Sequence, residues 1–212
     1  MKKLGIFIAA SALTLSLAAC GSGASSTTTT AAAAETTAAA SAETTAAAGA
    51  ATELTEISAG MCSTPAILTS IGQSADVDIA NTLCTKAGIE VTMNKNITGA
   101  DLPDDCKTLI LAVGGSSKGL GAAGIDADQE LSAAKEKGII VLALHTGGSA
   151  RRGTLSDSFI TPAFQGCDAA IVVSEGDSDG LMSGILSGNG TPATYVDNTA
   201  GTLDALKTAF GL

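Results

Sequence analysis

The chain has 212 residues, with 21 Asp and Glu against 11 Lys and Arg and a formal net charge of −10. That acidic excess argues against nucleic acid or an anionic membrane surface as a partner of the folded domain as a whole. With no Trp, one Tyr and four Phe, an aromatic platform for stacking sugars, flavins or bases is hard to assemble.

Residues 1–19 carry Lys2 and Lys3, an apolar run from Leu4, and the ending Leu17, Ala18, Ala19 before Cys20. Charge followed by a short apolar run reads as a secretory signal peptide, too short for a comfortable membrane span. The Leu-Ala-Ala-Cys ending resembles the bacterial lipobox. That resemblance implies cleavage before Cys20, diacylglyceryl modification of its sulfur, and anchoring to the extracytoplasmic face of the cell membrane through the acyl groups. The alternative is an ordinary secretory signal followed by a chance cysteine.

Residues 20–60 then read as a lipidated cysteine and a disordered stalk. This segment is almost all Ala, Thr, Ser, Gly and Glu, and the unit Ala-Glu-Thr-Thr-Ala-Ala-Ala begins at Ala34 and again at Ala42. With no large apolar residue before Leu54, it cannot bury enough surface to offset chain entropy. As a random coil its ends lie about 35 Å apart. Residues 61–212 form one domain's worth of chain, which at this length buries roughly two thirds of its unfolded surface. The domain holds nine Lys and Arg against seventeen Asp and Glu.

Strand and helix patterns alternate through the domain. A first strand is expected over Ala66 to Ile71, then a helix capped by Ser74 and stopped by Gly88. A short second strand over Ile89 to Met93 suits a sheet edge, and a polar connection over Asp101 to Cys106 replaces a full helix. The unbroken apolar run from Leu109 to Val113 reads as a strand covered on both faces. A helix follows over Asp126 to Lys137, acidic in its first turn and basic in its last, then a strand over Ile139 to Leu144. A short helix within Leu155 to Phe164, a strand over Ala169 to Val173, a helix over Gly180 to Leu186, a strand over Ala193 to Val196 and a helix over Thr202 to Phe210 complete the pattern. The expectation is an α/β fold: a three-layer, doubly wound, mostly parallel sheet of five to six strands, flavodoxin-like, in order 2-1-3-4-5.

Four further cysteines, Cys62, Cys84, Cys106 and Cys167, fall beneath the N-terminal ends of the strands in such a sheet. Export makes disulfides among them candidates, with Cys62 and Cys106 a reasonable pair if strands one and three are neighbours. A buried free thiol is the other reading. Their spacing matches no zinc motif, and no metal or other cofactor is expected.

Ligands of open α/β sheets bind beyond the strands' C-terminal ends, where the strand order reverses. Here Ser70, Gln73 and Ser74 would line one side and Gly114, Gly115, Ser116, Ser117 and Lys118 the other, with His145, Arg151 and Arg152 arriving from strand four. Three of the domain's cations beside glycine amides fit a small anion such as a phosphate, carboxylate or sulfate. The competing reading has the glycines serving tight turns and the arginines making salt bridges.

Three known patterns fit this region in part. Gly119, Gly121 and Gly124 satisfy the dinucleotide spacing between a strand and a helix. Yet the next strand ends in His145 and Thr146, where an acid should meet the ribose. The P-loop fails because Leu120 stands where lysine is required. Gly115 to Gly119 fits a nucleophile elbow with Ser117, and His145 could act as base with Asp157 orienting it, although the chain order differs from that of α/β-hydrolases. Ser174 to Gly180 has a passing likeness to a calcium loop but lacks the spacing and final glutamate, and reads better as a turn capping the next helix.

Residues 65–210 resemble a bacterial family of exported α/β domains of unknown function, most of all in residues 69–76, 113–126 and 147–153. The resemblance implies the fold and the choice of loops, and no activity. The expectation is a membrane-anchored extracytoplasmic lipoprotein that binds a small anionic ligand as an accessory to uptake or sensing. Its partners would be the bilayer, that ligand, and a second copy or a component of a transport system. The alternatives are a serine hydrolase using Ser117 and His145, and a structural surface module with no small-molecule site.

Overall fold

The computed structural model describes residues 53–72, 75–115 and 127–212. The chain divides into two units, Met1–Ala46 and Ala47–Leu212, and every described residue belongs to the second. The expectations for the signal peptide, for Cys20 and most of the stalk, and for Gln73, Ser74, Ser116, Ser117, Lys118 and residues 119–126 lie outside the described residues.

Among the described residues there are six strands and five α-helices, with an α-helix in every strand connection except that from β2 to β3. They are β1 (Ala66–Ile71), α1 (Asp76–Ala87), β2 (Val91–Met93), β3 (Thr108–Val113), α2 (Ala127–Glu136), β4 (Ile140–His145), α3 (Thr154–Gly166), β5 (Ala169–Val173), α4 (Leu181–Asn189), β6 (Ala193–Val196) and α5 (Thr202–Phe210). All strand pairs are parallel and the order is β2-β1-β3-β4-β5-β6, the flavodoxin-like arrangement with a sixth strand beyond β5. A 3-10 turn at Gly99–Asp101 stands in the β2–β3 connection, closed by a reciprocal capping box between Thr98 and Asp101.

Alternation along the buried strands sorts the core into two faces. Leu109, Leu111 and Val113 of β3 face Leu131 of α2, Ile160 and Phe164 of α3, and Met182 of α4. Ile110 and Ala112 face Val77, Ala80 and Leu83 of α1 and Leu206 of α5. Every residue of β3 is buried, which is why its sequence reads as a continuous apolar run. Each fully buried Leu or Ile contributes about 1.5–3 kcal/mol relative to exposure.

The packed chain begins before residue 61. Leu54 packs on one face and Ile57 is buried on the other, and the Ala193 backbone N–H donates to Thr55 O at 2.7 Å along the outer edge of β6. These two apolar side chains bring the end of the expected stalk onto the domain.

The four cysteines among the described residues are free thiols, all buried. Cys62 and Cys84 belong to the α1/α5 face and Cys106 and Cys167 to the α2–α4 face. The expected Cys62–Cys106 pair therefore stands on opposite sides of the sheet, and the disulfide reading gives way to buried thiols. Burial pushes Cys62 and Cys84 up to about 11 and Cys167 to about 12.

Two local expectations shift. Helix α1 has Ala75 at its cap position, with no side-chain cap. The helix after β4 is longer than expected, 13 residues with Pro162 inside it, because Ile160, Ala163 and Phe164 on both sides of the proline are buried against the core.

Candidate functional site

The register sets the rim. Ile71 lies level with Val113, Ala112 with Leu144, and His145 with Val172, so β1, β3 and β4 end together and β5 one residue later. Gly72, Gly114 and Thr146 follow at one level, beside Val173. The strand order reverses between β1 and β3, and the Gly114 N–H donates to Ile71 O at 2.9 Å there.

Close approach explains the glycines on this rim. A Cβ on Gly72 would stand 2.7 Å from Gly114 O and 2.9 Å from the Phe159 ring, and the backbone there has φ +94°, a left-handed conformation that glycine adopts without strain. A Cβ on Gly147 would stand 2.0 Å from Arg151 Cγ and 2.6 Å from Asp76 Oδ2. Gly114 gives the same two side chains room at 3.2 Å. Gly115 N donates to Ser156 Oγ at 3.2 Å, and that hydroxyl donates back to Gly115 O at 3.4 Å.

The slot left by Gly114 and Gly147 holds an ion pair. Asp76, in the first turn of α1 and 1 % exposed, accepts from Arg151 Nε on both carboxylate oxygens at 3.1 Å. The Arg151 side chain remains 26 % exposed. Its Nη1 reaches only its neighbour Ala150 O, at 3.5 Å, and Nη2 has no partner among the described residues. The guanidinium is thus held at its Nε while the side chain keeps about a quarter of its surface exposed.

Arg152 faces inward. Its Nε donates to Asp157 Oδ1 at 2.9 Å, Nη1 and Nη2 donate to the two Asp179 oxygens at 2.9 Å, and Nη1 also donates to Gly176 O. Both carboxylates raise the affinity of Arg152 for its proton, and the guanidinium holds Asp179 down at about 2. Arg152 ties the 3-10 turn Gly148–Arg151 to α3 and to the 3-10 turn Ser174–Asp177, with four of its five N–H donors engaged within the chain. Of the two arginines expected to bind an anion, Arg152 is the more enclosed, with its side chain 12 % exposed against 26 % for Arg151.

His145 ends β4 fully buried. Its Nε2 lies 3.5 Å from Arg151 O, Nδ1 has no hydrogen-bond partner, and the ring is pressed against Gly176, where a Cβ would stand 2.5 Å from Cε1. Burial lowers its affinity for a proton, so the imidazole is neutral at pH 7. Asp157, the acid expected to orient it, is bonded to Arg152 instead. Ser70 is 2 % exposed with an unpartnered hydroxyl, and its place on β1 turns it to the α1/α5 side, beneath the rim.

The acidic 174–180 stretch caps a helix. Asp177 accepts from Met182 N and Ser183 N at 2.7 Å and from Tyr195 Oη at 2.8 Å. Burial and the Asp177 carboxylate together hold the Tyr195 phenol protonated. Among the described residues no group of three or more His, Cys, Asp and Glu is placed to hold a metal ion, and no described helix is long and apolar enough to cross a membrane. A cleft of about 350 Å³ opens near the opposite end of the sheet beside Ser63, Gly88 and Phe210, with Glu90 as its one charged side chain.

Asp76, Ser156 and Asp179 are the rim residues that the sequence did not single out. Asp76 and Asp179 sit by α1 and α4, where an acid reads as helix capping, and neither is near its arginine in sequence.

No curated protein matches the chain. A family model does match, over residues 63–210, and its description is a domain of unknown function. With that match covering more than half its length, the chain belongs to the DUF6305 family.

Proposed function

We propose that the chain is an exported, lipid-anchored lipoprotein whose α/β domain binds a small anionic ligand at the switch point between β1 and β3, as an accessory to uptake or sensing. The observation that carries this reading is the partly exposed Arg151 side chain, held at Nε by buried Asp76 at the rim where open α/β sheets bind ligands. A fixed guanidinium offers two parallel donors to a carboxylate or phosphate and loses little freedom on binding. Export and anchoring rest on the signal-like segment and its lipobox ending at Cys20.

Thermal shift of the full chain against a panel of carboxylates, phosphates and sulfate tests the ligand. Stabilisation lost in Arg151→Ala and kept in Ser149→Ala supports the reading, and no stabilisation by any anion contradicts it. Membrane fractionation of Cys20→Ser tests the anchor, with release from the membrane fraction expected.

A structural surface module is the second reading. It is favoured by the way the chain's own side chains fill the glycine slots: Phe159 against Gly72, Ser156 against Gly115, and Asp76 with Arg151 against Gly147. The same anion panel separates the two. The hydrolase alternative would need His145 to leave its buried position before it could act as a base.

A further inference from the structure

We infer that Asp76 is the specificity-determining residue of this site and makes it select small monoanions, such as a monocarboxylate with a neutral body, over polyanions. The inference rests on the anion-binding reading above and names its ligand class.

Asp76 does two things to Arg151. Contact with Nε through both oxygens fixes the plane of the guanidinium and leaves Nη1 and Nη2 as a fork for one carboxylate. The carboxylate also cancels the arginine's charge within hydrogen-bond distance, so the pair presents donors without a net positive field. The glycines show that this pairing is built in. The Cβ position of Gly147 falls inside both partners, and that of Gly114 lies 3.2 Å from each.

The surroundings act in the same direction. Arg152 is spent on Asp157 and Asp179, and exposed Glu175 takes the Ser149 hydroxyl at 2.6 Å on the adjacent turn. A ligand with one negative group satisfies the fork. Each further charge on that ligand would meet carboxylates whose partners are already engaged, and like charges brought together reject the ligand that carries them.

The test is a titration of the full chain with propionate, succinate and citrate at constant ionic strength and pH 7.5, read through the ¹⁵N–¹H resonance of Arg151 Nε and by calorimetry. The expected result is that propionate binds at least as tightly as succinate or citrate, and that Asp76→Asn shifts the citrate-to-propionate affinity ratio by about fivefold or more in favour of citrate. A purely structural role for Asp76 would weaken all three anions together and leave the ratio unchanged. Citrate binding more tightly than propionate in the unmodified chain, or an unchanged ratio in Asp76→Asn, overturns the inference while the anion site stands. Failure of all three anions to move the Arg151 resonance overturns the site itself. Should Asp76→Asn not fold, the order of affinities in the unmodified chain decides.

Discussion

Asp76 and Arg151 stand 75 positions apart and meet through contacts of 3.1 Å from one Nε to both oxygens of a buried carboxylate. The pair joins the start of α1 to the turn after β4 across the end of β3. Replacing Arg151 by Ala leaves a buried carboxylate without its cation, while Arg151 itself is partly hydrated. The expected cost is about 1–3 kcal/mol, below that of a fully buried pair. Urea unfolding measures it, and a change below a few tenths of a kcal/mol would mean that the pair is not formed in solution.

Gly176 and Gly184 form a matched contrast. A Cβ on Gly176 meets the buried His145 ring at 2.5 Å, whereas one on Gly184, within α4, meets nothing within 4 Å. Gly176→Ala is expected to destabilise by about 1–3 kcal/mol through overpacking. Gly184→Ala should be neutral or stabilise by up to about 1 kcal/mol, because alanine restricts the unfolded chain and favours helix. Equal urea midpoints for the two variants would show that His145 does not lie where the structure puts it.

His145 sets an acid limit on stability. Burial holds it below its ordinary 6.5, against smaller opposing pulls from the Arg151 backbone carbonyl and Asp76, with Arg152 adding to the depression. As pH falls through 6.5 the unfolded chain takes up a proton that the folded chain resists. The unfolded state then binds more protons, so stability is full above about 6.5 and declines below it. Asp179, held near 2, loses its contribution only as pH falls from 3.8 toward that value, so the two windows are separate. Urea midpoints between pH 7 and 5 should fall for the unmodified chain and fall less for His145→Gln. Parallel slopes would contradict the burial of a neutral imidazole.

The cysteines offer a chemical check. Buried thiols with raised proton affinity react slowly, since the thiolate is the nucleophile. Alkylation without reductant at pH 8, followed by mass spectrometry, should label Cys62, Cys84, Cys106 and Cys167 in urea and scarcely at all in the folded chain. Protection that persists in urea until a reductant is added would indicate disulfides.

Much of the fold was legible because burial on two faces writes itself into the strands. The bounds of β1, β5, β6 and α5 match the pattern in the sequence, and Leu109 to Val113 lie within β3. Periodicity reports which residues are buried, but not which distant carboxylate meets which arginine. Arg151 and Arg152 are adjacent and alike in sequence, yet one faces solvent and the other is enclosed by Asp157 and Asp179. Gly72, Gly114, Gly115 and Gly147 lie at the C-terminal rim of the sheet. Their role there is to admit Asp76, Arg151, Ser156 and Phe159, which a glycine's sequence context does not reveal.

The most direct test of the central claim is an anion titration followed at the Arg151 side chain in the full chain. Propionate is expected to shift the Arg151 Nε resonance in a saturable way and to raise the unfolding midpoint, and Arg151→Ala to abolish the stabilisation. A resonance that stays fixed through the titration, with no stabilisation by any anion, would contradict the claim.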